Sequence, residues 1–157
     1  MTKEEKVQVS SVLNSFVLTY YRYINTPRDY GSGELLNSVE AHVLNHIYDH
    51  PGITVTELAK AWNRTKGAIS QTVSRLEAKQ HITRIKENGD AKTIHLYCTE
   101  KGSLFTQAHK EYDNRVLDFM MDKMNSYFPE QDIKAMVRVL SKLEELTAQR
   151  ERSETDN

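Results

Sequence analysis

TVTELAKAWNRTKGAISQTVSRLEAKQ, residues 54–80, holds two short helical patterns with a break between them. Thr54 and Glu57 have the spacing of a capping box, in which the Thr hydroxyl accepts from the backbone of the third helical residue while the Glu carboxylate reaches back. A short helix through Leu58, Ala59 and Trp62 follows. After Asn63-Arg64, Thr65 can cap a second helix that carries Ile69, Val73 and Leu76 on one face and polar side chains on the other. Two short helices, a tight break and a polar outer face on the second are the layout of a helix-turn-helix.

Downstream of this stretch the period changes from helical to two. Ile94, Leu96 and Cys98 alternate with Thr93, His95 and Tyr97, and with residues 82–87 they read as a hairpin around Asn88-Gly89-Asp90, a strong turn signal. Upstream, Val9, Val12, Leu13, Phe16, Val17, Tyr20 and Ile24 recur at helical spacing over residues 3–24 and stop before Pro27. Residues 25–33 have the Pro, Asp and Gly content of a loop, and a second helix begins near Ser38 with Val39, Val43, Leu44 and Ile47 inward. Beyond Thr99, Leu104, Phe105, Ala108, Tyr112, Val116, Phe119, Met120 and Met124 build one long amphipathic helix. Pro129 opens another, with Ile133, Met136, Val137, Leu140, Leu143 and Leu146 on its apolar stripe. The expected fold is mainly α with a small β-hairpin wing: a winged helix-turn-helix lobe at residues 37–100, helical dimerisation regions at 1–36 and 101–150, and a frayed tail at 151–157.

Length and composition agree with this reading. A chain of 157 residues buries one good core, and six Gly and three Pro leave room for long helices. No apolar stretch is long enough to span a bilayer and the lone Cys98 cannot form an internal disulfide, so a cytoplasmic protein with no membrane partner is expected. Net charge is −1, but residues 60–92 hold eight Lys and Arg against three carboxylates, net +5, which leaves −6 for the rest. A basic segment inside an acidic chain suits one phosphate-facing edge, and equally an ordinary solvated face. The chain has no glycine-rich phosphate loop, no His-Glu-x-x-His pair and no Ser or Cys elbow, so neither an enzyme nor a cofactor is expected.

The second helix of a helix-turn-helix enters the major groove amino end first, so its early outward residues must be small or able to hydrogen-bond to base edges. Here these are Thr65, Lys66, Gly67, Ala68, Ser70, Gln71, Ser74 and Arg75. Gln can pair bidentately with adenine and Lys with guanine, while Thr65 and Ser74 suit phosphates. A polar helix face in water would look similar, but it does not explain why the ribbon that follows is also basic.

Val55-Thr56-Glu57-Leu58-Ala59, then Ala68-Ile69-Ser70 through Val73, Leu76 and Glu77, then Asp90-Ala91-Lys92 and Thr99-Glu100-Lys101-Gly102 resemble the MarR family pattern, in order and across nearly the whole chain. The resemblance implies a homodimer in which residues 65–79 read the major groove of double-stranded DNA while the wing, with Arg84, Lys86, Asn88, Gly89, Asp90 and Lys92, touches the adjacent minor groove. Two departures stand out: Lys92 occupies a wing position where the family usually has Arg, and Gln80 one where it often has Gly.

The resemblance further implies a crevice for a small aromatic or lipophilic effector between the dimerisation helices and the lobe, for which Tyr20, His42 and His46 are the candidate lining. His42 and His46, four apart on one helix, with Glu40 nearby and His109 later, also have the look of a zinc set, yet Cys98 does not join them and packing or an effector is the favoured reading. Cys98 itself reads as a small buried hydrophobe. The expected function is a sequence-specific transcription regulator, a repressor, acting as a homodimer on a pseudo-palindromic operator. The alternatives are a zinc-sensing regulator of the same fold and a winged-helix protein-interaction module that does not bind DNA.

Overall fold

The computed structural model describes residues 1–86 and 93–155. Helix α1 (Lys3–Asn25) starts at a capping box in which Glu5 N–H donates to Thr2 Oγ1 and Thr2 N–H to Glu5 Oε2. The loop after it is pinned by Asp29, whose Oδ1 accepts from the amides of Gly31, Ser32 and Gly33, between two short antiparallel strands, β1 (Arg28–Asp29) and β2 (Leu35–Leu36). Helix α2 (Ser38–Asp49) has a second capping box, Asn37 with Glu40. Then follow β3 (Ile53–Thr54), α3 (Val55–Ala61), α4 (Lys66–Ala78), β4 (Ile82–Lys86), β5 (Ile94–Cys98), α5 (Glu100–Tyr127) and α6 (Glu130–Thr155).

The hairpin expected from the change of period is present, with Ile82 opposite Cys98 and Lys86 opposite Ile94. The turn residues Asn88, Gly89 and Asp90, and Lys92 with them, lie outside the described residues. Two-residue β3, too short to show a period, adds a third strand in the order β3-β5-β4, with Ile53 opposite Leu96. Helix α6 runs to Thr155, and near its end Gln149 donates to Glu145 and Arg150 pairs with Glu154 at 2.8 Å, both at helical spacing.

The chain divides into two compact units, Met1–Tyr112 and Asp113–Asn157, with the division inside α5. The first unit holds the core: Ala41, Val43, Leu44 and Ile47 of α2, Leu58 of α3, Ile69, Val73 and Leu76 of α4, Leu96 of β5 and Phe105 of α5. The apolar stripe of α1 is not part of it. No residue of α1 is buried, and Phe16, Val17 and Tyr20 are each more than half exposed. In the second unit Met136, Val137, Leu140, Leu143 and Leu146 of α6 are likewise exposed. Among the described residues no helix is long and apolar enough to cross a membrane.

Candidate nucleic-acid interface

The turn between α3 and α4 follows from its local sequence. Thr54 caps α3 reciprocally with Glu57: Glu57 N–H donates to Thr54 Oγ1 at 3.2 Å, and Thr54 N–H to Glu57 Oε2 at 2.9 Å. The chain leaves α3 through Trp62 and turns at Asn63, whose φ of +47° is a left-handed value that Asn adopts more readily than most residues. Arg64 N–H closes the turn on the Ala59 carbonyl at 2.9 Å, and Thr65 then caps α4 by accepting from Ala68 N–H at 3.2 Å.

Helix α4 has two unlike faces. Ile69, Thr72, Val73 and Leu76 are buried, whereas Thr65, Lys66, Gly67, Ala68, Gln71, Ser74 and Arg75 are exposed and Ser70 is half-buried. A Cβ on Gly67 would meet nothing within 4 Å, so packing within the protein does not require glycine there. The exposed side chains are small at the amino end and can hydrogen-bond beyond it.

Its cations are not equally available. Arg75 Nε donates to Glu40 Oε1 at 2.7 Å, Lys79 Nζ to Glu40 Oε2 at 3.0 Å, and the Glu40 side chain is only 4% exposed. Burial works against ionising Glu40, but the hydrogen bonds of Lys79 and Arg75 outweigh it and hold its carboxyl below the ordinary glutamate range. On the wing side Arg84 pairs with Glu77 at 2.8 Å and donates to Ser74 Oγ at 2.9 Å, which ties β4 to α4. By contrast, among the described residues no carboxylate pairs with the exposed Arg64, Lys66 or Lys86.

Tyr20, His42 and His46 each have ring neighbours of their own. Tyr20 is 51% exposed on α1 and stacks between Phe16 and Tyr23. His42 lies edge-on to the buried His109 ring at 5.0 Å, and Asn45 Nδ2 is 3.0 Å from His109 Nδ1. His46 instead packs near His50 and Trp62. Glu40 faces α4, away from any histidine set. Cys98 is half-buried with Sγ directed at the Leu44 carbonyl, and burial pushes its thiol up to about 11, so it carries no thiolate at neutral pH.

Two residues at this site escaped sequence reasoning. Glu40 was noted only beside His42 and His46, although Arg75 and Lys79, four apart on one helix face, signal a shared anion. His81 is fully buried just beyond α4, with neither ring nitrogen hydrogen-bonded and Nε2 4.0 Å from Glu34 Oε2. It is held there by backbone contact, because Thr99 N–H donates to its carbonyl at 3.0 Å and a Cβ on Gly102 would collide with that carbonyl.

Residues 36–92 match the MarR family model. The HTH-type transcriptional regulator YhjH of Bacillus subtilis is 25% identical over 103 residues, 66% of this chain and 59% of that protein, so the chain spans less than two thirds of this relative. Among solved structures, Streptococcus pneumoniae FabT, crystallised in complex with DNA, is 22% identical with a TM-score of 0.62, over 94% of this chain and 97% of FabT. Lactococcus lactis ZitR, a zinc-responsive MarR family member, is 17% identical with a TM-score of 0.68, over 90% of this chain and 98% of ZitR. With the MarR family model on residues 36–92 and the fold of such regulators over at least nine-tenths of its length, the chain is similar to the MarR family of winged helix-turn-helix transcription regulators and shares their fold.

Proposed function

We propose that the protein is a homodimeric repressor that binds double-stranded DNA sequence-specifically on a pseudo-palindromic operator, with an affinity set by a small-molecule effector. The observation that carries this is the two-faced α4: one face is locked into the core, while the other offers small and hydrogen-bonding side chains flanked by Arg64 and Lys66, which pair with no carboxylate among the described residues. Such a helix can approach base edges amino end first without disturbing its own packing. The DNA complex of FabT supports the same use of the fold. Selection of bound sequences from a random duplex library tests it. A recovered motif with two half-sites about one helical turn apart, roughly 34 Å, is expected. A protein-docking module would recover no motif and show no salt-dependent duplex binding.

For the effector, the region of Tyr20, His42 and His46 is the proposed site. A ligand there acts only if it binds two half-site spacings unequally, and a coupling of ~1–3 kcal/mol would change operator affinity about five- to 150-fold. His42→Ala or Tyr20→Ala should blunt the response to an active aromatic or lipophilic compound, and an intact response in both variants would place the effector elsewhere.

One observation favours zinc as a second reading of the input. His42 and His109 face each other on α2 and α5, with ring centroids 5.0 Å apart. A pair of imidazoles suits zinc, and Asn45 would orient the His109 ring through Nδ1. Zinc would supply a cross-link between helices. Titration with zinc followed by DNA affinity separates the readings: a shift lost in His109→Ala supports zinc, and no shift removes it.

A further inference from the structure

We propose that Glu40 acts as an internal counter-charge that withholds Arg75 and Lys79 from the DNA backbone, and so sets how much of the protein's DNA affinity is independent of sequence. The inference rests on the DNA-binding reading and assigns Glu40 as a positioning residue for it.

The geometry is a fork. Each carboxylate oxygen of Glu40 is taken by a different cation of α4, Oε1 by Arg75 and Oε2 by Lys79. Further bonds fix the cations in place: Arg75 Nη2 donates to Thr72 Oγ1 at 3.2 Å, and Lys79 Nζ to the Leu35 carbonyl at 3.1 Å. The anion is 4% exposed, but the cations are 49% and 36% exposed, so both can be reached from outside while their charge is directed inward.

A phosphate offered to either cation must compete with this arrangement. Drawing Arg75 or Lys79 away would leave a buried carboxylate with half its pairing, which is much costlier than losing an exposed pair. The carboxylate therefore wins, and the recognition helix meets DNA with fewer active cations than its sequence contains. Phosphate contacts raise affinity for every duplex alike, whereas base contacts discriminate, so removing two cations from the phosphate inventory raises the share of binding that depends on sequence. The same fork ties α4 to α2 and fixes the angle at which the helix is presented.

Glu40→Gln keeps the shape and removes the charge, and a neutral amide cannot hold two cations. The test is the slope of log K against log salt on a random-sequence duplex and on the selected operator. Each freed cation that finds a phosphate steepens the slope by ~0.9. Glu40→Gln is expected to steepen it by about 0.9 to 1.8 and to narrow the ratio of operator to random-duplex affinity, Glu40→Asp to keep a slope close to that of the parent, and Glu40→Gln/Lys79→Gln to lose about one contact relative to Glu40→Gln. If Glu40 only supported the fold, Glu40→Gln would weaken binding with an unchanged or shallower slope, and that result overturns the proposal. A measurement on the unmodified protein covers the case in which the variant does not fold. The Arg75 Nε–H resonance, held by Glu40, should keep its shift when duplex is added, and a change to a phosphate-bound position refutes the inference. Absence of salt-dependent duplex binding by the unmodified protein would instead remove the DNA-binding reading, and the proposal with it.

Discussion

Gln80 follows α4 with a φ of +61°, a left-handed value that costs a residue bearing a Cβ about 1 kcal/mol relative to glycine. Its side chain is exposed, so nothing packed is lost by removing it. Gln80→Gly is therefore expected to raise unfolding free energy by about 0.5–1 kcal/mol, seen as a higher denaturant midpoint with an unchanged slope. Gln71 and Arg64 separate readout from attraction. Gln71→Ala should relax preference at one operator position by ~1–3 kcal/mol, while Arg64→Ala should weaken all duplexes alike and reduce the salt slope by about one. Equal, sequence-independent losses in both would show that α4 is not the reading helix. Gln71 was legible from the spacing of a helix face, and Gln80 from the family resemblance, which implies a glycine at that position. Glu40 and His81 were not, because a carboxylate and an imidazole look the same in a string whether they face water or a core.

At the scale of elements, the junction of α4, β4 and α5 is where stability depends on pH. Burial lowers the pKa of His81, Lys101 lowers it further, and the weaker attraction of Glu34 does not compensate. The native state thus binds its proton less readily than the unfolded chain, whose histidines titrate near ~6.5. Stability should be steady above that value, fall as pH drops through it, and level off only below the depressed native pKa. His46, also lowered by burial and by the neighbouring His50 charge, acts in the same direction. Unfolding free energy measured from pH 7.5 to 5 should show this decline, and His81→Leu should flatten it; an unaltered profile in that variant would assign the proton uptake elsewhere. The elements themselves were well marked by the capping box at Thr54, by the helical spacing of apolar residues and by the change of period at Ile82. Strand β3 and the last turns of α6 were not. Two residues carry no period, and the polar end of α6 is held by side-chain pairs rather than by an apolar stripe.

For the molecule as a whole, the exposed apolar residues of α1, and separately those of α6, are more than scattered surface hydrophobes. They recur at helical spacing, as a face made for burial does, and a two-fold helical interface would cover them. The protein is expected to be a dimer at micromolar concentration in light scattering, and Phe16→Glu or Leu140→Glu to shift it toward monomer while the helical circular dichroism persists. A monomeric parent protein would leave the operator spacing without a structural basis. Sequence alone determined the order of helices and ribbon, the polar face of α4 and the basic bias of residues 60–92, because caps, periodicity and charge are local properties. Only the tertiary structure decided which of those cations are free. Arg75 and Lys79 meet Glu40 across 35 and 39 residues, Arg84 meets Glu77 once β4 is laid beside α4, and Arg64 and Lys66 pair with no described carboxylate. Ion pairing depends on side chains within about 4 Å of one another, and distance in space between residues far apart in the chain is set by how the helices pack.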